Sequence, residues 1–309
     1  MQNKKYSLTR SVFNSVQSFT ASYNEVVKEI VLNCIIFPME REDKDGKKKM
    51  LTIETLWDTG CGGCLISKDL VNKMGLKSHR TIKHYDSGKM YDKNCYEAFI
   101  YLPNGITVPV ELMEKELSDS PVIIGMDIIC RGNLFVNNVN SKTIVRFDMP
   151  EKERIIDNEK AAMFKIEEPD KIYRDQNENS IRLEYGKIVY SLRYQCKVST
   201  PQPNTKTLKV LAAWDSGAGM SMISRSLASK LNVKIVGSLL MGNVDSIHKI
   251  NTCLINIHLW DERAIPVLVG IQDKDERADL LIGMDIISLG NLLIESIGLE
   301  TSLMFQLPN

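Results

Sequence analysis

Several features are missing from this 309-residue sequence. No apolar run approaches the roughly 18 to 20 residues of a membrane-spanning helix. Net charge is missing too: 39 Lys and Arg balance 39 Asp and Glu. The basic field that marks nucleic-acid or membrane-surface binders is therefore absent. Short basic runs such as Lys47-Lys48-Lys49 sit beside Glu42, Asp43 and Asp45 and read as a solvated turn. Behind Met1-Gln2-Asn3-Lys4-Lys5 come polar residues, where a secretion signal would carry its apolar stretch. Nor is there a disulfide framework: seven Cys, an odd number scattered over a long chain, fit thiols in a reducing compartment. Together these absences predict a cytoplasmic protein with neither a nucleic-acid nor a membrane partner.

What is present is a repeat. Trp57-Asp58-Thr59-Gly60 returns as Trp214-Asp215-Ser216-Gly217, and Ile124-Gly125-Met126-Asp127-Ile128-Ile129 returns as Ile282-Gly283-Met284-Asp285-Ile286-Ile287. Each Asp loop follows an apolar strand. Each copy then carries a helix cap and stop, Ser67 with Gly75 and Ser224 with Asn232. Ser is a good N-cap, and Gly and Asn both tolerate the left-handed conformation that ends a helix. The copies thus agree physically where their letters differ. The pattern predicts an N-terminal extension over 1–24, read as a short helix or loose arm, and a first module over 25–150. A charged linker follows over 151–182, with a short helix near Glu159–Phe164, and a second module spans 183–309. Opening strands are expected at Val26–Phe37 and Lys187–Val198, a charged turn at Arg41–Lys49, and a turn at Pro103-Asn104-Gly105. Many short strands with few helices make the fold all-β, in two similar lobes.

A lone Asp-Thr-Gly would be a common Asx turn. Two of them at matched repeat positions, facing each other across a pseudo-twofold axis, bring two carboxylates together. Such a pair shares one proton, so one member activates a water while the other donates to a substrate carbonyl. Asp58 and Asp215 are the candidate catalytic residues. Gly60 and Gly217 let the backbone approach closely and donate to the carboxylates. Thr59 and Ser216 keep a hydroxyl in each loop, suited to bonding the opposite loop.

On these residues the chain resembles the retropepsin-like aspartic proteases. The resemblance rests on strand-Asp58-Thr59-Gly60 and strand-Asp215-Ser216-Gly217-Ala218, strengthened by Ile123-Ile124-Gly125 and Leu281-Ile282-Gly283, each before a short helix. It covers roughly 25–150 and 183–309. It implies two closed, barrel-like lobes fused as a single-chain pseudo-dimer, where family members usually dimerise. It further implies endopeptidase activity on an extended peptide, with no metal or organic cofactor, and structural roles for Gly125 and Gly283 beside the catalytic loops. The chain is expected to act as a monomer, with pairing of repeats between chains as an alternative. Flap hairpins are expected at His84–Met90 and Leu240–Ser246, with Ser87, Gly88, Gly242 and Asn243 at their turns. The rival reading is a non-catalytic peptide-binding or assembly module on the same fold.

Other residues invite functional readings that weigh less. Cys61-Gly62-Gly63-Cys64, with His79 and His84 downstream, has the look of a redox pair or zinc site. The matched residues are Ala218 and Ser221, so Cys61 and Cys64 read as small packing residues. Asp127 and Asp285 read as helix caps or ion-pair partners, and Trp57 and Trp214 as core or interlobe packing.

Overall fold

The computed structural model describes residues 6–39, 49–86, 89–117, 120–150, 167–175, 179–202, 205–243, 246–260, 264–273 and 278–308. The chain opens with an antiparallel hairpin, β1 (Tyr6–Phe13) and β2 (Val16–Tyr23). The first lobe follows as β3 (Val31–Pro38), β4 (Leu51–Trp57), β5 (Leu65–Ser67), α1 (Lys68–Met74), β6 (Arg80–Asp86), β7 (Lys89–Tyr101), β8 (Thr107–Lys115), β9 (Val122–Ile124) and α2 (Met126–Ile129). Strands β10 (Asn133–Val139) and β11 (Lys142–Pro150) complete the first half. The second half repeats the plan. A hairpin, β12 (Lys171–Asp175) and β13 (Ser180–Tyr185), precedes β14 (Arg193–Ser199), β15 (Leu208–Trp214), β16 (Met222–Ser224) and α3 (Arg225–Leu231). Then come β17 (Ile235–Asn243), β18 (Ser246–His258), β19 (Ile265–Gln272), β20 (Leu280–Ile282), α4 (Met284–Ile287), β21 (Asn291–Glu295) and β22 (Thr301–Gln306).

The fold is all-β, with two similar closed barrels. In the first lobe the strand order β3-β4-β9-β5-β8-β7 closes on itself through a β3–β7 pairing, and β6 extends β7 outward. The second lobe repeats this as β14-β15-β20-β16-β19-β18, closed by β14–β18 and extended by β17. Alternation drives the closure: Leu32, Cys34 and Ile36 of β3 and Ile53, Thr55 and Trp57 of β4 all point inward. Thr55 is tolerated there because its hydroxyl donates to the Leu32 carbonyl at 2.9 Å.

A third sheet joins the lobes, in the order β1-β2-β11-β10-β21-β22-β13-β12. It reads alike from either end, and the pseudo-twofold axis passes between β10 and β21. Two reciprocal bonds mark that axis: Asn138 N–H donates to Asn291 Oδ1 at 3.2 Å, and Ser296 N–H to Asn133 Oδ1 at 2.9 Å. Trp57 lies edge-on to Phe19 of β2 and Phe147 of β11, and Trp214 lies against Phe305 of β22 and Tyr194. Both indoles are fully buried, so the strand-end tryptophans are core anchors between barrels and sheet.

The helix signals hold as read. Ser67 Oγ accepts from Leu70 N–H at 3.2 Å and Ser224 Oγ from Leu227 N–H at 3.1 Å. Gly75 and Asn232 end their helices at φ 69° and 51°. Gly105 turns at φ 96° between β7 and β8.

The N-terminal extension and the linker differ from expectation. Residues 1–24 hold β1 and β2 rather than a helix or loose arm, and β2 pairs with β11. The interval 151–182 holds β12 and the start of β13, which pairs with β22 and matches the N-terminal hairpin. The opening strands also begin later than expected, at Val31 and Arg193. The short helix near Glu159–Phe164 and most of the charged turn over 41–49 lie outside the described residues. No helix among the described residues is long and apolar enough to cross a membrane.

Candidate active site

Each catalytic-loop candidate hangs from a parallel strand pair. Trp57 of β4 registers with Ile124 of β9, and Trp214 of β15 with Ile282 of β20. Just beyond, Asp58 N–H donates to the Ile124 carbonyl at 2.9 Å, and Asp215 N–H to the Ile282 carbonyl at 2.9 Å. The aspartates are thereby fixed at the ends of rigid strands. Within each loop a glycine N–H donates to the aspartate, Gly60 to Asp58 Oδ1 at 2.7 Å and Gly217 to Asp215 Oδ1 at 3.0 Å.

The loops also meet each other. A Cβ placed on Gly60 would stand 2.3 Å from Asp215 Cγ, and one on Gly217 would stand 2.4 Å from Asp58 Cγ. Each carboxylate therefore lies against the opposite loop's glycine, in space that any larger residue would fill. Four bonds lock this arrangement. Thr59 N–H donates to Ser216 Oγ at 3.0 Å, and that hydroxyl donates to the Trp57 carbonyl at 2.9 Å. In return Ser216 N–H donates to Thr59 Oγ1 at 3.0 Å, which donates to the Trp214 carbonyl at 3.1 Å. Thr59 and Ser216 are fully buried, Asp215 is buried and Asp58 half-buried.

Gly125 and Gly283 support the loops from behind. An added Cβ on Gly125 would stand 2.6 Å from the Gly63 carbonyl oxygen, and on Gly283 2.7 Å from the Ala218 oxygen. Met126 N–H donates to the Cys61 carbonyl at 2.8 Å, and Met284 N–H to the Ala218 carbonyl at 2.7 Å. Here Ala218 holds its loop through the main chain.

Asp285 meets the expected cap role in part, accepting from Ile286 N–H at 3.0 Å in its own first turn, but Asp127 and Asp285 both also reach into the loops. Helices α2 and α4 are capped by Gly125 and Gly283, which offer no side-chain acceptor. Asp127 accepts from Cys64 N–H at 3.1 Å and from the Cys64 thiol at 2.9 Å. Asp285 accepts from Ser221 Oγ at 2.6 Å. These carboxylates tie the far end of each aspartate loop to the short helix behind it. Burial pushes both carboxyls above their ordinary range, and burial with the Asp127 charge pushes the Cys64 thiol well up. Cys64 is thus a bonded counterpart of Ser221 rather than mere packing. His79 turns to Glu111 at 2.8 Å, so it does not join Cys61 and Cys64, and the His84 side chain lies outside the described set. Among the described residues no group of three or more His, Cys, Asp or Glu is placed to hold a metal.

Both flap candidates are hairpins. β6 pairs with β7 up to Asp86 and Lys89, and β17 with β18 up to Asn243 and Ser246. Gly242 and Asn243 end β17, while Ser87 and Gly88 lie outside the described residues.

A cavity of about 200 Å³ opens over the two aspartates. Gly217 and Ala218 wall it from the second lobe, and Cys61, Leu65, Lys115, Leu117 and Ile123 from the first. Of the last four, Ile123 belongs to the Ile123-Ile124-Gly125 element read from the sequence, while Leu65, Lys115 and Leu117 were not marked there. Their signal was strand register: β5 runs parallel to β8, setting Leu65 opposite Met113 and Ser67 opposite Lys115. Compared with known proteins, the chain matches no family model and no curated protein.

Proposed function

We propose that the chain is an aspartic endopeptidase of the retropepsin type, with Asp58 and Asp215 as one dyad. The observation that carries this reading is the seating of each carboxylate against the opposite loop's glycine, beneath an open cavity. In this reading the pair works with one proton shared between the two carboxylates. The ionised member takes a proton from a water, whose oxygen attacks the peptide carbonyl carbon. The protonated member gives its proton to the carbonyl oxygen. The resulting tetrahedral diol then collapses: the C–N bond breaks, the amine nitrogen takes the proton from one carboxyl, and the other carboxylate takes a proton from a diol hydroxyl as the new C=O forms. A carboxylic acid and an amine leave, and the pair again holds one proton. The four-bond lock between loops holds the geometry before substrate arrives, which is where preorganisation lowers the barrier.

Because both loops belong to one chain, the site is complete in a monomer. The β6–β7 and β17–β18 hairpins are assigned as flaps over an extended peptide, which would be held through main-chain bonds. A reducing compartment such as the cytoplasm fits the absence of any disulfide among the seven cysteines. The test is cleavage of a diverse peptide pool between about pH 4 and 8, the range suited to a proton-sharing pair, with new termini read by mass spectrometry. Internal cleavage by the monomer is expected. A folded chain that binds peptides without producing new termini would overturn the reading in favour of a binding module.

A further inference from the structure

The sheet that joins the lobes ends in two strands that hold matched places but are built differently. On one side β12 reads Lys171-Ile172-Tyr173-Arg174-Asp175, a short strand whose charges guard its edge. On the other side β1 reads Tyr6-Ser7-Leu8-Thr9-Arg10-Ser11-Val12-Phe13, longer and with Arg10 as its one charge. The Arg10 guanidinium lies over the Tyr101 ring of the first barrel, 5.8 Å from its centroid. Among the described residues no strand pairs with the outer edge of β1. A long edge with so little charge is a template for another strand.

The turn after β1 decides which groups that edge presents. Asn14 and Ser15 join β1 to β2 with φ 49° and 61°, a two-residue turn with both central residues left-handed. Phe13 and Val16 flank it and form the first hydrogen-bonded pair of the hairpin. Such pairs alternate along an antiparallel ladder. Ser11, Thr9 and Ser7 therefore turn their main-chain groups toward β2, while Val12, Arg10, Leu8 and Tyr6 turn theirs to the open edge. The side chains hold the strand in place. Tyr6 lies 5.3 Å from the Tyr23 ring and its hydroxyl accepts from Asn33 N–H at 2.8 Å. Ser7, Thr9 and Ser11 are exposed on the opposite face.

This edge complements itself. Two antiparallel copies of β1 with Thr9 opposite Thr9 set Tyr6 against Val12 and Leu8 against Arg10, so every outward main-chain group from Tyr6 to Val12 meets another. Ser7 then faces Ser11. An aromatic against a β-branched residue and hydroxyls against hydroxyls are favourable cross-strand pairs. Val12, 68% exposed in the single chain, comes to lie beside Tyr6. Shifting the register by two residues one way opposes Arg10 with Arg10, a like-charge pair. Shifting it the other way carries Val12 past the end of the partner strand.

We propose that the outer edge of β1 is a docking surface for β1 of a second copy, paired antiparallel about a twofold axis at Thr9. The joined sheet then continues from one chain into the next. The pairing does not rest on the endopeptidase reading, and each copy keeps its own two aspartate loops.

A single strand edge is a small interface, so the pairing is weak and depends on concentration. Sedimentation of the full chain from about 1 μM to 1 mM, which spans the dissociation constants of weak pairs, should show conversion from one toward two chain masses. Thr9→Lys opposes two ammoniums at the axis and should stay monomeric throughout. The register is read by cross-linking with oxidised glutathione in a Cys61→Ala background, which removes the thiol that is not buried. At a pair that is not hydrogen-bonded the Cα atoms stand about 4.5 Å apart, within disulfide reach. Thr9→Cys should therefore give a disulfide-linked dimer. Ser7→Cys and Ser11→Cys should each fail alone and link when mixed. These positions are exposed, so the substitutions leave the core intact. A wild type that stays monomeric across the range would overturn the proposal. So would a dimer that Thr9→Lys leaves unchanged, or linkage by Ser7→Cys alone as readily as by Thr9→Cys.

Discussion

Removing the Ser216 hydroxyl is expected to cost far more than one serine normally would. In Ser216→Ala the Trp57 carbonyl loses its donor at 2.9 Å and the Thr59 N–H loses its acceptor at 3.0 Å. Thr59 and Trp57 are both fully buried, so water cannot replace the lost partner. A buried polar group left without a partner costs about 1–3 kcal/mol, so two give about 2–6 kcal/mol. That is a large part of the roughly 5–15 kcal/mol that stabilises an ordinary domain. Both bonds bridge the two lobes, so the loss falls on their coupling. Thr59→Val is the reciprocal change, stranding Ser216 N–H and the Trp214 carbonyl. The two changes act on one network, and the double variant should depart from additivity by about 0.5–3 kcal/mol. Urea unfolding of the four proteins, followed by fluorescence of the buried tryptophans, measures each value. A Ser216→Ala loss below about 0.5 kcal/mol, typical of an exposed site, would refute the lock as the device joining the lobes.

Other expectations follow from single contacts. Gly125→Ala drives a Cβ to 2.6 Å from the Gly63 oxygen and should destabilise by about 1–3 kcal/mol; an unchanged urea midpoint would contradict the assigned close packing. Cys64→Ser copies Ser221, keeps the bond to Asp127 and should fold and unfold within about 1 kcal/mol of wild type, since the hydroxyl is still satisfied. Asp127 is held above its ordinary 3.8 by burial. Its stabilising contribution is therefore full below the unfolded value and lost as pH rises through the folded one. The stability of wild type relative to Asp127→Asn should accordingly fall as pH rises from that range toward neutrality; a constant difference across urea titrations would count against it. Cys61 is the one thiol of the seven that is not buried, so a thiol reagent should label one site per native chain, and Cys61→Ala should remove it. Burial pushes the thiols of Cys34, Cys130 and Cys196 up to about 12, which keeps them protonated and slow.

The aspartate loops, the Gly-Met-Asp-Ile-Ile elements and the helix caps were legible because each depends on a residue type that little else can replace. The outer hairpins were not. Their tie to the barrels is backbone pairing with β11 and β22, which leaves no letter-for-letter trace. A weaker signal does exist. Phe19, Ala21 and Tyr23 alternate inward on β2, as Ile181, Leu183 and Tyr185 do on β13. Tyr23 OH donates to the Val31 carbonyl and Tyr185 OH to the Arg193 carbonyl, each eight residues on. The offset between these copies is a few residues longer than between the aspartates, so an alignment held at the aspartate spacing slides past them. Asp127 was read only in part: a carboxylate in a first helical turn usually faces its own helix, and here a thiol from another loop bonds it as well. Lys115 was invisible as a site residue because only parallel pairing of β5 with β8 brings it beside the dyad.

The account turns on Asp58 and Asp215 forming one shared site in one chain. Its most direct test is peptide cleavage by the folded monomers of wild type, Asp58→Asn and Asp215→Asn. The account predicts cleavage by wild type and its loss in each single variant, since neither carboxylate can serve as both acid and base. Retention of cleavage in either variant, or activity only in a dimer, would contradict it.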